Sequence, residues 1–182
     1  PVSLAWILAL IARLIVTGCL HEDGLADFLD GFGGGTTRER TLAIMKDSHI
    51  GSYGVIGLIC YFLLLLQLHH LPLGLLCILV LSGDCWSKFC ASQIVNYLPY
   101  ARKEEDSKSK TVYNRMSRHE LLAGFLCGLF PFVLLLPIKL WIATLFPLLT
   151  FFLLYRLMKR RLQGYTGDCC GATFLLCELS FY

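Results

Sequence analysis

Long apolar runs joined by very short connectors leave this chain few ways to fold. Six stretches, at roughly 3–20, 51–68, 72–97, 119–137, 139–157 and 168–182, are predominantly apolar. Several approach the ~20 residues that cross a bilayer as a helix. Only Leu-His-His-Leu-Pro separates the second from the third, and only Pro-Ile-Lys separates the fourth from the fifth. Of the 182 residues, 56% are hydrophobic and 16% charged, whereas a soluble domain carries about 25% charged residues. The expected fold is therefore all-α: a polytopic transmembrane helical bundle of about six spans, in a single integral-membrane domain over 1–182. The chain opens on Pro1 and not on Met, and the expectation is of a domain incomplete at its N-terminus. The first run contains Arg13 and no small-x-small cleavage site, which argues against a signal peptide.

Polar residues concentrate in three segments, 21–50, 98–118 and 158–167. Two predicted spans separate the first segment from the second, and two more separate the second from the third. An even number of crossings returns the chain to the same side, so all three segments must share one. The first carries Arg38, Arg40 and Lys46; the second Arg102, Lys103, Lys108, Lys110, Arg115 and Arg118; the third Lys159, Arg160 and Arg161. Cytoplasmic loops collect Lys and Arg, so the shared side is expected to be cytoplasmic. The net charge is only +3, and no basic stripe is interleaved with aromatics, so nucleic acid is not an expected partner. The nine cysteines form no Cys-x-x-Cys pair. Cys60, Cys77 and Cys127 lie inside apolar runs, where Cys behaves as a small hydrophobe.

Chemistry gathers in His-Glu-Asp-Gly-Leu-Ala-Asp-Phe-Leu-Asp-Gly-Phe-Gly-Gly-Gly, residues 21–35. On a helix, Asp23, Asp27 and Asp30 stand at i, i+4 and i+7 and make one acidic stripe. Like charges at this spacing destabilise a helix by roughly 0.2–0.5 kcal/mol per pair. A cation among them offsets the repulsion, and oxygen-only ligands favour Mg²⁺ or Mn²⁺. The plainer alternative is a solvated helix end, and the position of the stripe against a membrane boundary weighs against it.

The glycines after Asp30 interrupt a rigid helix and let a ligand approach the backbone. They form no P-loop, since no Gly-Lys-Ser/Thr follows. Thr36 followed by Glu39 reads as a capping box and predicts a short helix from about Thr37 to Asp47, with an N-terminus suited to phosphate. Arg38, Arg40 and Lys46 add cations, and Asp47 adds a carboxylate. Acids for a metal beside bases for phosphate are the groups that metal-assisted phosphoryl transfer uses. Gly51, Gly54 and Gly57, three residues apart, predict close helix packing.

The stretch from His21 to Gly54 resembles the signature of the cobalamin synthase family, the adenosylcobinamide-GDP ribazoletransferases. The positions that carry the resemblance are His21, Asp23, Gly24, Leu25, Ala26, Asp27 and Asp30, then Met45, Lys46, Asp47 and Ser48, then Gly51 and Gly54. Leu-Pro-Tyr-Ala-Arg at 98–102 and Gly-Tyr-Thr-Gly-Asp-Cys-Cys-Gly-Ala at 164–172 resemble later motifs. The resemblance implies a Mg²⁺-dependent catalytic domain of the cell inner membrane, with Mn²⁺ as a substitute and the active site facing the cytoplasm. It implies a transferase that joins adenosylcobinamide-GDP to α-ribazole or α-ribazole 5′-phosphate and releases GMP, assembling the nucleotide loop in cobalamin biosynthesis. Besides these substrates, membrane lipid is an expected partner, and a homo-oligomer is compatible with such a chain.

The implied chemistry assigns Asp23, Asp27 and Asp47 to the metal. Asp30 becomes the candidate base, with His21 as its substitute, although spacing alone does not separate ligand from base. Arg38, Arg40, Lys46 and Ser48 become substrate contacts. Asp168 opens the last apolar run, where it either caps a helix or, as the resemblance implies, belongs to the site. Asp84 and Lys88, four residues apart, either pair on one helix face or line a polar cavity. His69, His70 and His119 read as boundary residues. Two other readings compete. A CDP-alcohol phosphotransferase would carry Arg after Asp-Gly-x-x-Ala, where this chain has Asp27 after Ala26. A cation transporter would hold its acids near the bilayer midplane.

Overall fold

The computed structural model describes residues 1–102 and 114–182. Lys103, Lys108 and Lys110, counted above in the middle segment, lie outside them. Helix α1 (Val2–Thr17) and helix α2 (Leu20–Gly34) meet at a bend of 86°. Gly18 (φ 61°) and Cys19 (φ 57°) make the turn, two successive residues in the left-handed region. Their N–H groups bond the carbonyls of Ile15 and Leu14, closing the end of α1. The first apolar run thus stops at Thr17 and turns, where 3–20 had been expected to continue straight.

Helix α3 (Arg38–Ile44) follows. Its cap is Thr37 and not Thr36: the Thr37 backbone is extended, and its hydroxyl accepts from the Arg40 N–H at 3.2 Å. Helix α4 (Ser52–Leu66) runs on through a 3₁₀ turn, Gln67–His70. After the connector come α5 (Leu73–Ser92) and the short α6 (Ile94–Tyr97). Helix α7 (Arg118–Leu135) opens on a capping box between Ser117 and Glu120. A 3₁₀ segment, Ile138–Thr144, leads into α8 (Leu145–Arg161), and α9 (Gly167–Phe181) closes the chain.

Among the described residues, four segments are long and apolar enough to cross a membrane: Ser52–His70, Leu73–Tyr97, Arg118–Leu135 and Ile138–Arg161. The bent α1–α2 pair makes a fifth if counted as one span. The chain is a polytopic helical membrane bundle, with four or five such spans where about six were expected. The step from six to five is α9, which has 15 residues against the ~20 that a span needs, and the step to four is the bent first run. Its side chains are buried all round, with Cys169, Ala172, Leu175, Cys177 and Glu178 all at 0% exposure. A helix that is apolar on every face is buried, but sequence does not say whether in lipid or in protein. Here it is in protein, because α9 packs against α2, α5 and α8, and α2 packs in turn against α4. In the α8 span only Pro147 and Met158 are buried, so that helix presents its Leu and Phe side chains outward.

Glu178 makes burial of a charge in α9 tolerable by filling its lone pairs. Arg13 donates to it at 2.8 Å, the Tyr182 hydroxyl at 3.0 Å and the Tyr61 hydroxyl at 3.3 Å, while Arg13 also donates to Tyr61 at 3.0 Å. Removing one partner of such a buried pair typically costs about 3–5 kcal/mol. The network ties α1, α4 and α9 together.

The three polar segments meet at one end of the bundle, as the parity of crossings requires. Arg38 donates from Nε to the Leu162 carbonyl and from Nη2 to the Ala101 carbonyl, both at 2.7 Å. Ala101 N–H bonds the Tyr165 carbonyl at 2.8 Å, and Tyr165 N–H bonds the Pro99 carbonyl at 3.0 Å. Arg161 reaches back to the carbonyls of Phe32 and Gly35, at the end of α2.

Candidate functional site

The inner helices α2 and α9 cross on a reciprocal pair of glycines. A Cβ at Gly24 would lie 3.1 Å from the Asp168 Cα and carbonyl oxygen, and one at Gly171 would lie 3.2 Å from the same two atoms of His21. Small residues at a crossing let two backbones approach closely. Each glycine stands three residues after a candidate site residue, so the crossing brings His21 and Asp168 to one place. A cavity of about 780 Å³ opens there. Its walls include His21 and Asp23 from α2, Lys88 from α5, Arg102 from the segment after α6, and Asp168 and Phe174 from α9.

Phe174 organises this wall. The His21 ring stands edge-on to it, with centroids 4.9 Å apart, and Lys88 Nζ lies 5.2 Å from its centroid. His21 Nδ1 is buried and has no hydrogen-bond partner among the described residues. Lys88 pairs with Asp84 at 2.8 Å, so it both makes the expected helix-face pair and faces the cavity. The Arg102 side chain is 5% exposed, and its Nη2 lies 3.3 Å from Asp168 Oδ2. Thr166 donates to the same oxygen at 3.2 Å and accepts the Cys169 N–H. Thr166 is therefore the cap of α9, and Asp168 sits in its first turn.

Four of the residues singled out in the sequence, His21, Asp23, Lys88 and Asp168, thus converge on one cavity. Asp27 is half-buried one turn along α2 from Asp23. Asp30 lies elsewhere, buried, with both oxygens engaged: Oδ2 accepts from Gly51 N–H at 2.7 Å and Oδ1 from Gly54 N–H at 2.9 Å. It caps α4, where a carboxylate favours the positive end of the helix dipole. The glycines there leave room for it, since a Cβ at either would lie 2.5 Å from a carboxylate oxygen. Gly54 also packs on Ala26, and Gly57 on Leu29, the close packing expected of that spacing.

Asp47 is exposed, and its Oδ1 accepts from the His49 N–H at 3.0 Å and meets the His49 ring at 2.7 Å. The hydrogen bonds from His49 hold the Asp47 carboxyl below the usual range, and the carboxylate in turn raises His49. Arg38 spends its guanidinium on backbone carbonyls, as described above. Arg40, Lys46 and Ser48 are exposed at the same end, and α3 contributes nothing to the cavity wall. Among the described residues, no three His, Cys, Asp or Glu side chains gather into a metal-holding group. Arg102 and Phe174 escaped the sequence reading as site residues. Arg102 counted as a topology charge and as the end of the Leu-Pro-Tyr-Ala-Arg motif, with no site role assigned, and Phe174 was hidden in an apolar run.

Fold and site together define a polytopic membrane protein with a ligand-sized cavity of acids, a histidine and cations near the end where its charged segments meet. The chain belongs to the cobalamin-5-phosphate synthase family, which matches it over residues 1–182. It is 42% identical over 197 residues to the adenosylcobinamide-GDP ribazoletransferase of Shewanella amazonensis, covering 100% of this chain and 72% of that one. It is 36% identical over 187 residues to the protein of the same name in Shewanella frigidimarina (100% and 71%), and 38% identical over 188 residues to that of Vibrio parahaemolyticus (100% and 69%). No solved structure matches the chain significantly.

Proposed function

We propose that this chain joins adenosylcobinamide-GDP to α-ribazole or its 5′-phosphate, releasing GMP; its relatives are named adenosylcobinamide-GDP ribazoletransferases. The observation that carries the reading is the convergence of His21, Asp23, Asp168 and Lys88 on one cavity in a chain of this family. The ribazole hydroxyl attacks the phosphorus on the cobinamide side of the diphosphate, the bond to the GMP oxygen breaks, and the hydroxyl proton must leave. His21 is the base: it lines the cavity and has a ring nitrogen without a protein partner among the described residues. Asp30 is less suited to that role, because both its oxygens serve the α4 backbone. Lys88 and Arg115 line the cavity and supply positive charge to the diphosphate.

Asp23 and Asp27 would hold Mg²⁺, with Mn²⁺ as a substitute. They are hard oxygen donors one helical turn apart. Mg²⁺ takes one or two carboxylates and completes its shell with water and substrate phosphate, so a third protein carboxylate is not required. When bound, the ion would neutralise phosphate charge and favour departure of GMP. Asp47, held by His49, stands outside this set. Arg40 and Ser48, exposed outside the cavity, would meet other parts of the substrates, with Lys46 beside them at the same end. The Lys and Arg of all three polar segments support placing this end on the cytoplasmic face of the inner membrane, with lipid covering the outward faces of α4, α7 and α8. The test is GMP release by the purified protein from adenosylcobinamide-GDP and α-ribazole, with and without Mg²⁺. Absence of GMP release under all these conditions would refute the reading.

A further inference from the structure

We propose that Arg102 grips the substrate diphosphate, and that Asp168 is the positioning residue that orients its guanidinium. The proposal rests on the reaction above and names the group that recognises its charged substrate. It starts from how rigidly Arg102 is presented. The backbone beside it is pinned on both faces: Ala101 donates to Tyr165 and accepts from Arg38, and Tyr165 donates to Pro99. The side chain is 5% exposed, yet it forms part of the wall of the 780 Å³ cavity.

Asp168 meets this guanidinium at one nitrogen only, Nη2, at 3.3 Å. The same Asp168 oxygen also accepts from the Thr166 hydroxyl, so Arg102 does not hold it alone. Arg102 Nε is buried and has no hydrogen-bond partner among the described residues. A guanidinium carries five N–H donors in a planar fork, and a buried charged donor without an acceptor is costly. At a cavity wall the acceptor can come from a ligand. The fork fits phosphate oxygens in a bidentate manner, and a diphosphate is the group the proposed reaction must hold. Asp168 belongs to a helix fixed by its glycine crossing with α2, which sets the direction of the fork. Its role therefore runs through Arg102.

The experiment uses the purified wild-type protein and Arg102→Gln, Arg102→Lys and Asp168→Asn in lipid nanodiscs. Arg102→Gln is expected to raise KM for adenosylcobinamide-GDP about tenfold to a hundredfold, the worth of one or two charged hydrogen bonds. KM for α-ribazole should not change. Arg102→Lys should fall between, because an ammonium offers a point charge and no fork. Asp168→Asn should shift the same KM by less, and should add little on the Arg102→Gln background, since the two act as one unit. Binding of GDP as a probe, measured without turnover, should weaken in parallel. Equal GDP affinity in wild type and Arg102→Lys, or an equal rise in both KM values, would overturn the proposal. Should Arg102→Gln fail to fold, Arg102→Lys carries the test alone. A wild-type protein that binds GDP through Arg102 but releases no GMP would refute the proposed reaction and leave the anion site standing.

Discussion

Gly24 lies tight against the Asp168 backbone: a Cβ there would be 3.1 Å from both the Asp168 Cα and its carbonyl oxygen, closer than ordinary van der Waals contact. Gly171 stands in the same relation to His21. Gly24→Ala and Gly171→Ala should each push α2 from α9, with an overpacking cost of about 1–3 kcal/mol. Because His21 and Asp168 face the cavity from either side of the crossing, a small displacement should lower kcat by up to about 10²-fold. Thermal unfolding and GMP release on the same samples check this. Lower Tm with unchanged kcat would mean that the crossing serves stability alone.

Asp30→Asn should act mainly on stability. The variant keeps one acceptor for α4 but loses the charge and one of the two backbone bonds, a loss on the order of 1–3 kcal/mol. Turnover per folded molecule should stay close to wild type if His21 is the base. An Asp30→Asn protein with wild-type Tm and no turnover would return the role of base to Asp30.

Asp23→Asn and Asp27→Asn preserve side-chain size and relieve like-charge repulsion along α2, so membrane insertion should be unaffected. Turnover should fall at least ~10²–10³-fold, the scale of losing an electrostatic group that acts on the transition state. Chelation of the wild-type protein should silence it, with recovery on adding Mg²⁺ or Mn²⁺. Mn²⁺ binding by both variants at wild-type affinity would dismiss this pair as ligands.

The turn at Asp47–His49 should depend on pH in a defined window. His49 is raised in the folded chain, so its contribution is complete below its ordinary value of 6.5 and disappears as pH rises through the folded value. Asp47 is lowered, so its contribution is complete above its ordinary 3.8 and disappears as pH falls through the folded value. The turn is thus fully tied between pH 3.8 and 6.5, and loosens as pH rises through the folded His49 value or falls through the folded Asp47 value. Both groups are exposed, so global stability should barely respond. NMR titration of the His49 ring should give a midpoint above 6.5 that drops in Asp47→Asn, and an unmoved midpoint would contradict the contact.

Membrane sidedness can be read from single cysteines in a cysteine-free background. Gln163→Cys, exposed at the polar end, should react with an impermeant maleimide only from the cytoplasmic side. His70→Cys, in the 3₁₀ turn that ends the Ser52–His70 span, should react only from the outside. The reverse pattern would invert the proposed orientation.

Much of this architecture was legible before any coordinates. Strong punctuation such as Leu-His-His-Leu-Pro and Pro-Ile-Lys marked span ends, and counting crossings placed three distant segments together. Period and composition served less well for α2 and α9, because an apolar run looks the same in lipid and in a protein core. The acidic stripe is real as helix geometry, but its members sit in different surroundings. Asp23 faces a cavity, whereas Asp30 caps a helix that begins 22 positions later, at Ser52, and only tertiary contact separates those roles. Arg102 shows the same limit, since a loop arginine that sets topology and one that faces a ligand are written with the same letter.

The buried pair of Arg13 and Glu178 has a consequence for the order of assembly. The two residues are 165 positions apart, so at about 5–20 residues per second the guanidinium waits roughly 8–33 s for its carboxylate to be synthesised. Throughout that wait Glu22, nine positions on and 3.6 Å from Arg13 in the folded chain, is the carboxylate within reach, and a charge short of its full set of partners is costly in a membrane, about 2.5–3.5 kcal/mol at a span centre on insertion scales. Helix α1 is therefore expected to stay shallow at the membrane surface during translation and to seat only once α9 has emerged. Helix α1, made before α9, would take its place after it.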